Sequence, residues 1–365
     1  MSDAYERRRL GRGSAADRSL LSRKARAWSA LRLGIALLLA VAATKTLMAS
    51  RYSASQWFDL LVFGITLGSI YALVALGYTM IYGVLRMVNF AHGDIMMTGA
   101  FAGYFVFAAA DRAGELQRQP VLVVAATLGV CMLVATTSAL LVERVAYRPF
   151  GRTRSAAPLI CAIGASFFLE QTFRAFFGSS VKSYPDLPWD APVLTVGGLR
   201  VPKIDLVVVG CALAAMATLY FIVNKTRTGT AIRAVSEDAD AASLMGIDVQ
   251  RAVVLCFALA GATAGLAGVL YALVFHQVHF AMGFMLGIKA FGSAMVGGIG
   301  SVPGAMLGGL VLGVFESVGP SLLLDGIGVA APYQLRDLIA FILLIAVLVF
   351  RPQGLLGERS PRRRA

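Results

Sequence analysis

The run VLVVAATLGVCMLVATTSALLV, residues Val121–Val142, carries no charged side chain over its whole length. A helix of this length is about 33 Å long, which matches the hydrocarbon core of a bilayer at ~30 Å. Similar apolar blocks recur on both sides of it, so hydrophobic residues make up 58% of the chain and charged residues only 15%. A soluble domain is nearer a quarter charged. The sequence therefore predicts an all-α fold, a polytopic transmembrane helical bundle.

The apolar blocks also predict the number of spans and the division of the chain. The first hydrophobic segment, Leu33–Thr44, is short, and we predict a retained span, with a cleaved signal sequence as the alternative. With it the bundle has about ten spans. Residues 1–56 then form a basic tail with this extra span, 57–357 the main membrane domain and 358–365 a second basic tail. The other blocks are 57–85, 93–110, 121–143, 156–177, 205–224, 251–275, 282–299, 303–322 and 334–350.

The positions of Lys and Arg predict the orientation of the bundle. An even number of spans places both termini on one side of the membrane, and that side holds 22 of the 33 basic residues while the other side holds six. Because loops rich in Lys and Arg stay in the cytoplasm, we predict that both termini are cytoplasmic. The net charge of +13 is then explained by the basic residues that orient the protein in the membrane, and nucleic acid is not an expected partner.

Several motifs that carry chemistry are absent from the sequence. It has no GxxxxGK[ST] loop for nucleotide phosphates, no HExxH, no GxSxG and no CxxC among its four cysteines. We therefore expect no catalytic residues, no cofactor and no metal site. The predicted spans also lack the chains of Asp, Glu and His that are typical of a proton-driven carrier. If the protein moves a solute uphill, the energy is expected to come from another subunit.

One long polar segment, NKTRTGTAIRAVSEDADAASLMGIDVQR (Asn224–Arg251), lies between two apolar blocks. We expect a short amphipathic helix in it that is capped by Ser236 and stopped by Gly246. In the predicted topology this segment is cytoplasmic. It is interpreted as a docking element for a cytoplasmic partner, with an ordinary solvated connector as the alternative.

Two further places put polar side chains among apolar blocks. Asn89, His92 and Asp94 interrupt two blocks with very little loop, which indicates either a broken helix beside a transport path or a tight turn. Lys289 and Glu316 lie within consecutive spans at depths that differ by only ~4–5 Å. Because an unpaired charge at that depth is costly, we expect an intramembrane ion pair, which either gates the path or holds two helices together.

Four ordered segments of the sequence are GITLGSIYALVALGYTMIYGVLRMVNFAHGDIMMTGAF (64–101), TGTAIRAVSEDADAASLMGID (228–248), GIKAFGSAMVGGIGSVPGAMLGGLVLG (287–313) and FRPQGLLG (350–357). Together they resemble the permease subunits of branched-chain amino acid ABC importers. The resemblance covers about residues 57–357, and the N-terminal tail and first hydrophobic segment are longer than this family leads us to expect.

The resemblance implies the permease subunit of an ATP-binding cassette importer in a bacterial inner membrane, which moves branched-chain or other apolar amino acids by alternating access. It implies as partners a second related permease subunit, two ATPase subunits and an extracytoplasmic substrate-binding protein. A permease for urea or short amides, and a stand-alone secondary carrier or channel, are the alternatives. Within a cytoplasmic coupling region at 225–250, the residues expected to contact the ATPase are Glu237, Asp238, Ala242, Met245 and Gly246.

Overall fold

The computed structural model describes residues 34, 37, 40–49, 51–150, 156–187, 193–196 and 199–357. Over these ranges the chain is mostly helical, which confirms the predicted all-α bundle. The helices are α1 (Ala54–Leu85), α2 (His92–Arg112), α3 (Glu115–Arg118), α4 (Pro120–Val142), α5 (Ala157–Phe177), α6 (Lys203–Lys225), α7 (Arg227–Glu237), α8 (Ala239–Leu244), α9 (Val249–Phe275), α10 (Met282–Gly297), α11 (Val302–Gly319) and α12 (Arg336–Phe350).

Eight helical segments of the described chain are long and apolar enough to cross a bilayer. A ninth apolar helix, α10, is shorter at 16 residues. These nine match the nine later blocks of the sequence, and the count agrees with about ten spans. Residues 40–48 are helical, but most of the remainder of the predicted first span lies outside the described residues.

Helices α1 and α9 occupy the centre of the bundle, and α5 and α12 lie at its periphery. Residues 66–81 of α1 are buried on every side. This explains why α1 has no amphipathic pattern, since a helix surrounded by protein is apolar all round. In α5, by contrast, Phe167, Phe168 and Phe176 are exposed, as expected for a helix that faces lipid or another subunit.

Glycines bring α1 and α11 into backbone contact. A Cβ atom at Gly68 would lie 2.8 Å from Leu310 Cα, and one at Gly313 would collide with the Gly68 backbone. Small residues permit such close approach in membrane bundles, where the gain comes from van der Waals packing.

Short strands tie the loops at one end of the bundle. β1 (Lys182–Ser183), after α5, pairs antiparallel with β4 (Gln277–Val278), which joins α9 to α10. β2 (Val193–Val196) pairs with β3 (Leu199–Pro202) in a hairpin before α6. The β1–β4 pair fixes the α9–α10 turn, and Tyr184 N donates to His276 O at 3.0 Å in the same place.

The chain divides into two compact units. The smaller unit is Met1–Ser53 with Gly319–Gln334, and within it Thr46 Oγ1 donates to Leu322 O at 3.0 Å while Arg51 pairs with Asp325 at 2.8 Å. The larger unit is Ala54–Val318 with Leu335–Ala365, and it contains the sites below. The predicted boundary at residue 57 stays a prediction, and residues 1–33 and the tail at 358–365 lie outside the described residues.

Candidate functional sites

The polar segment between α6 and α9 folds as two short helices, α7 and α8. Thr226 begins α7, and its Oγ1 accepts from Gly229 N at 3.1 Å. Asp238 begins α8, and its Oδ1 accepts from Asp240 N at 2.9 Å and from Ala241 N at 3.0 Å.

The prediction that Ser236 caps a helix is wrong. Ser236 lies in the last turn of α7, where its hydroxyl donates to Arg233 O at 2.7 Å. The extended backbone that an N-cap requires occurs two residues later, at Asp238. Its carboxylate accepts hydrogen bonds from two backbone amides in the first turn of α8, which have no partner within the helix.

The side chains of α8 divide sharply into buried and exposed ones. Ala239 and Ala242 are buried against the bundle, whereas Leu244 and Met245 are 89% and 83% exposed. Gly246, at φ +84°, reverses the chain after them. The structure therefore places Met245 beside an exposed apolar neighbour and away from Ala242. Sequence reasoning did not select Leu244, although it is the most exposed large apolar side chain of the described residues.

Two side-chain hydrogen bonds lie in this region: one joins the end of α7 to the residue after α1, and the other joins the start of α9 to the residue after α4. Arg86, directly after α1, donates from Nη2 to Ser236 O at 2.6 Å. Gln250, at the start of α9, donates from Nε2 to the buried Glu143 Oε1 at 2.7 Å. The end of α7 is thus bonded to the turn between α1 and α2, which carries the second candidate site.

That turn folds back into the bundle before α2 begins. Asn89 Oδ1 accepts from Ala91 N at 3.1 Å, and the His92 ring meets the Tyr78 ring edge-on with centroids 4.7 Å apart. Tyr78 precedes the end of α1 by seven residues, so α2 starts about 10 Å inside the end of α1. Asn89, His92 and Asp94 are all buried there.

Asp94 lies where three helices meet. Its carboxylate accepts a short hydrogen bond from Ser166 of α5, and its Oδ1 has no hydrogen-bond partner among the described residues. Gly283 of α10 packs against it, since a Cβ atom there would come 2.5 Å from Asp94 Oδ1. A buried polar atom without a hydrogen-bond partner is energetically costly, which indicates that Asp94 has a functional role in addition to packing.

The start of α10 repeats the start of α2. Phe90-Ala91-His92-Gly93 and Phe280-Ala281-Met282-Gly283 share three of four residues, and Met282 N donates to His279 O at 3.2 Å as His92 N does to Asn89 O at 3.1 Å. Arg86 and His276, which open the two breaks, are the only described non-glycine residues with positive φ.

The two helix starts touch, because a Cβ atom at Gly93 would collide with Gly283 O. A pair of matching broken helices is a device of many transporters. The shared Phe-Ala-x-Gly was the sequence signal that could have revealed it.

The third site is a cluster of four charges. Lys289 Nζ lies 2.7 Å from Glu316 Oε1 and 2.6 Å from Asp337 Oδ1, with Lys289 and Glu316 almost fully buried. Glu316 Oε2 accepts from Tyr71 OH at 3.0 Å, and Arg336 Nε is 3.9 Å from Glu316 Oε1. The sequence predicted Lys289 and Glu316 but not Arg336 and Asp337. These two lie at the start of α12, where charged residues are common at the membrane surface and need no partner within the bundle.

A cavity of about 160 Å³ lies beside the charge cluster. It is bounded by the end of α9, the start of α10 and the start of α12, together with one residue each of α1 and α11. Its lining residues are Tyr71, Tyr271, Phe275, His279, Ala281, Met282, Met285, Leu286, Lys289, Glu316, Arg336 and Asp337.

Comparisons with known proteins give one consistent result. A family model described as the permease component of the branched-chain amino acid transport system matches residues 60–348. The chain is 38% identical over 306 residues to the high-affinity branched-chain amino acid transport system permease protein BraD of Pseudomonas aeruginosa, which covers 83% of this chain and 96% of BraD. It is 37% identical over 310 residues to LivH of Escherichia coli, with 84% and 96% covered.

A more distant relative is the fructose import permease protein FrcC of Rhizobium meliloti, 28% identical over 54% of this chain and 55% of FrcC. Among solved structures, an inward-facing putative metal-chelate type ABC transporter aligns with a TM-score of 0.47 and 19% identity, over 87% of this chain and 98% of that chain. That structural likeness is too distant to carry an assignment.

Proposed function

The chain belongs to the family of permease components of branched-chain amino acid transport systems, and from this premise we propose that it carries branched-chain or other apolar amino acids across a bacterial inner membrane as part of an ATP-binding cassette importer. The observation that carries the proposal is the match over residues 60–348, joined to relatives that align over 96% of their own length. A multi-pass helical bundle is the architecture such a permease requires.

The chain works with ATPase and other importer subunits, as its family does. More specifically, we propose a complex of this chain, a second related permease subunit, two ATPase subunits and an extracytoplasmic substrate-binding protein. The sequence supports the need for a separate ATPase, because it has no phosphate-binding loop of its own.

We propose that α7 and α8 face the cytoplasm and dock on the ATPase. The excess of Lys and Arg on this side supports that orientation. The exposed Leu244 and Met245 offer an apolar contact, which accords with the tendency of exposed apolar patches to mark interaction sites. Glu237 and Asp238 would flank it, while Ala242 and Gly246 shape the turn.

Movement at this contact would reach the membrane helices through Arg86. Its bond to Ser236 O joins the end of α7 to the turn that carries Asn89, His92 and Asp94. We propose that these three residues border the transport path, since the two touching helix starts form a break that a small displacement can rearrange. A break of this kind can adopt two conformations, and alternating access requires a segment that switches between two conformations.

The test is reconstitution of the purified complex in proteoliposomes. Purification of this chain from its native membrane is expected to recover an ATPase and a second permease, and leucine uptake is expected to require ATP and the binding protein. Uptake by this polypeptide alone without ATP would instead establish a stand-alone carrier or channel. Uptake of urea or short amides with no leucine uptake would assign the chain to the alternative substrate class.

A further inference from the structure

The cavity beside Lys289 combines balanced charge with apolar walls. Two cationic and two anionic side chains border it, so the site as a whole adds no net charge. The remaining wall is built mainly of aromatic, Met and Leu side chains. Its volume of about 160 Å³ is more than ten times the roughly 10–15 Å³ that one water molecule needs.

The charges divide into an inner and an outer pair. Lys289 and Glu316 are 8% and 1% exposed, and they satisfy each other inside the bundle. Arg336 and Asp337 are 37% and 52% exposed, with Arg336 Nε 3.7 Å from Asp337 Oδ1. Asp337 Oδ1 also accepts from Lys289 Nζ at 2.6 Å. Both outer side chains are nevertheless partly exposed, so a ligand that carries both charges can reach them.

We propose that this cavity is a binding site for a zwitterionic α-amino acid with an apolar side chain, held within the permease itself; the proposal rests on the function proposed above. The ammonium group of the ligand binds Asp337, and its carboxylate binds Arg336 through charge-assisted hydrogen bonds. The side chain of the ligand packs against Phe275, Met282 and Met285.

Three features select this ligand class. A site with balanced charges favours a neutral zwitterion, because a bare anion or cation would leave one partner unpaired. Burial lowers the pKa of His279 below its usual value, so the imidazole stays neutral and preserves the balance. Phe275, Met282 and Met285 give an apolar side chain of the ligand its packing partners.

The position of the cavity also fits a transport site. The cavity lies at the C-terminal end of α9, whereas α7 and α8 lie before its N-terminal end. The 27 residues of α9 separate these ends by about 40 Å. The part of the cavity that Tyr271 and Phe275 line therefore lies at the end of α9 remote from α7 and α8, as a site reached from the side opposite to the ATPase requires.

Protection from thiol labelling tests the proposal in the complete complex, held in phosphatidylglycerol nanodiscs so that no zwitterionic lipid head group competes. Met285→Cys places a thiol on the cavity wall, and Phe284→Cys, at the neighbouring position outside the lining, is the matched control. Cys161 and Cys211 are replaced by Ala in both variants, since these two native cysteines are only partly buried. A water-soluble maleimide is then applied with increasing leucine.

We expect leucine to slow the labelling of Met285→Cys at least about fivefold and to leave Phe284→Cys unchanged. 3-Methylbutylamine and 4-methylpentanoate, which each lack one charge, are expected to protect far less at equal concentration. Asp337→Asn and Arg336→Gln are expected to raise the half-protecting leucine concentration by about tenfold, because each removes one charge-assisted bond.

The proposal is overturned if the maleimide does not label Met285→Cys, or if leucine does not slow that labelling. It is also overturned if leucine protects Phe284→Cys equally, or if 3-methylbutylamine and 4-methylpentanoate protect Met285→Cys as well as leucine does. Slowing by added phosphatidylethanolamine alone would assign the cavity to a lipid head group and would also overturn it. ATP-driven leucine uptake by the unmodified complex is measured in parallel. Uptake without protection refutes this site alone, whereas the absence of uptake refutes the proposed function.

Discussion

At the scale of single residues, the buried polar side chains of this chain are held by partners from distant parts of the sequence. Glu316 receives Lys289 on one oxygen and Tyr71 on the other. Asp94 receives Ser166 but keeps one oxygen without a partner among the described residues. Since a buried charge costs several kcal/mol when it is uncompensated, these partners decide which changes the bundle tolerates.

Removal of one inner charge is expected to destabilise the bundle strongly. Glu316→Gln leaves Lys289 with a single, half-exposed partner, and we expect a loss of about 3–5 kcal/mol. Asp337→Asn, at a half-exposed position, should cost no more than about 1 kcal/mol. Thermal unfolding of the detergent-solubilised protein, followed by size-exclusion chromatography, measures both. Equal effects would contradict the inner and outer division of the cluster.

Gly283→Ala is expected to force apart the starts of α2 and α10. The added Cβ would stand 2.5 Å from Asp94 Oδ1 and 2.7 Å from Gly93 O, and overpacking of this kind costs about 1–3 kcal/mol. Gly210→Ala, where no atom lies within 4 Å of the new Cβ, is the control and should be neutral or slightly stabilising. The same unfolding assay compares them, and a neutral Gly283→Ala would show that the two helix starts do not pack closely.

At the scale of elements, the end of α8 exposes two large apolar side chains on a segment that is otherwise polar. Exposed apolar residues of α5 or α12 suit lipid, but Leu244 and Met245 lie on a polar segment that no lipid is expected to cover. The covering partner proposed for them is the ATPase.

The double change Leu244→Asp with Met245→Asp is expected to abolish recovery of the ATPase with this chain. Both side chains are more than four-fifths exposed, so the permease itself should stay folded. Leu122→Asp, an exposed apolar position at the start of α4, is the control for added charge. Affinity purification followed by quantitative mass spectrometry gives the readout. Full ATPase recovery with the double variant would exclude α8 as the docking element.

Arg86→Ala is expected to uncouple ATP hydrolysis from uptake. The change removes the bond to Ser236 O, the link between α7 and the α1–α2 turn, without touching the exposed surface of α8. We expect leucine uptake per ATP hydrolysed to fall at least about tenfold, because a hydrogen bond to a charged group contributes about 1.5–3 kcal/mol. Arg112→Ala removes an exposed Arg whose side-chain hydrogen bond, among the described residues, goes to Ala108 O of its own helix, and it should leave that ratio unchanged.

At the scale of the whole molecule, α9 separates two ends with different chemistry. One end carries the polar helices α7 and α8, and the other carries the charge cluster with its cavity. Importers need such a division, because the substrate enters on one side of the membrane while ATP is hydrolysed on the other.

This arrangement predicts the sidedness of two exposed positions. A membrane-impermeant maleimide should label Ser243→Cys only when the reagent can reach the cytoplasmic face of the membrane. It should label Asp186→Cys, at a side chain that is 93% exposed, only from the outer face. Labelling in intact cells and in inverted vesicles measures this. The reverse pattern would show that the distribution of Lys and Arg had been misread.

The amino-acid sequence by itself determined that this is a multi-pass membrane protein, together with its helices and their approximate limits. The reason is that the length of an apolar segment is a local property, and a segment spans the bilayer when that length matches the hydrocarbon core. It also carried the family resemblance through ordered motifs. Only the tertiary structure decided that Arg336 and Asp337 join Lys289 and Glu316, that Asp94 bonds to Ser166, and that α2 begins inside the bundle. Those contacts depend on how helices rotate and pack against each other, and no window of sequence contains that information.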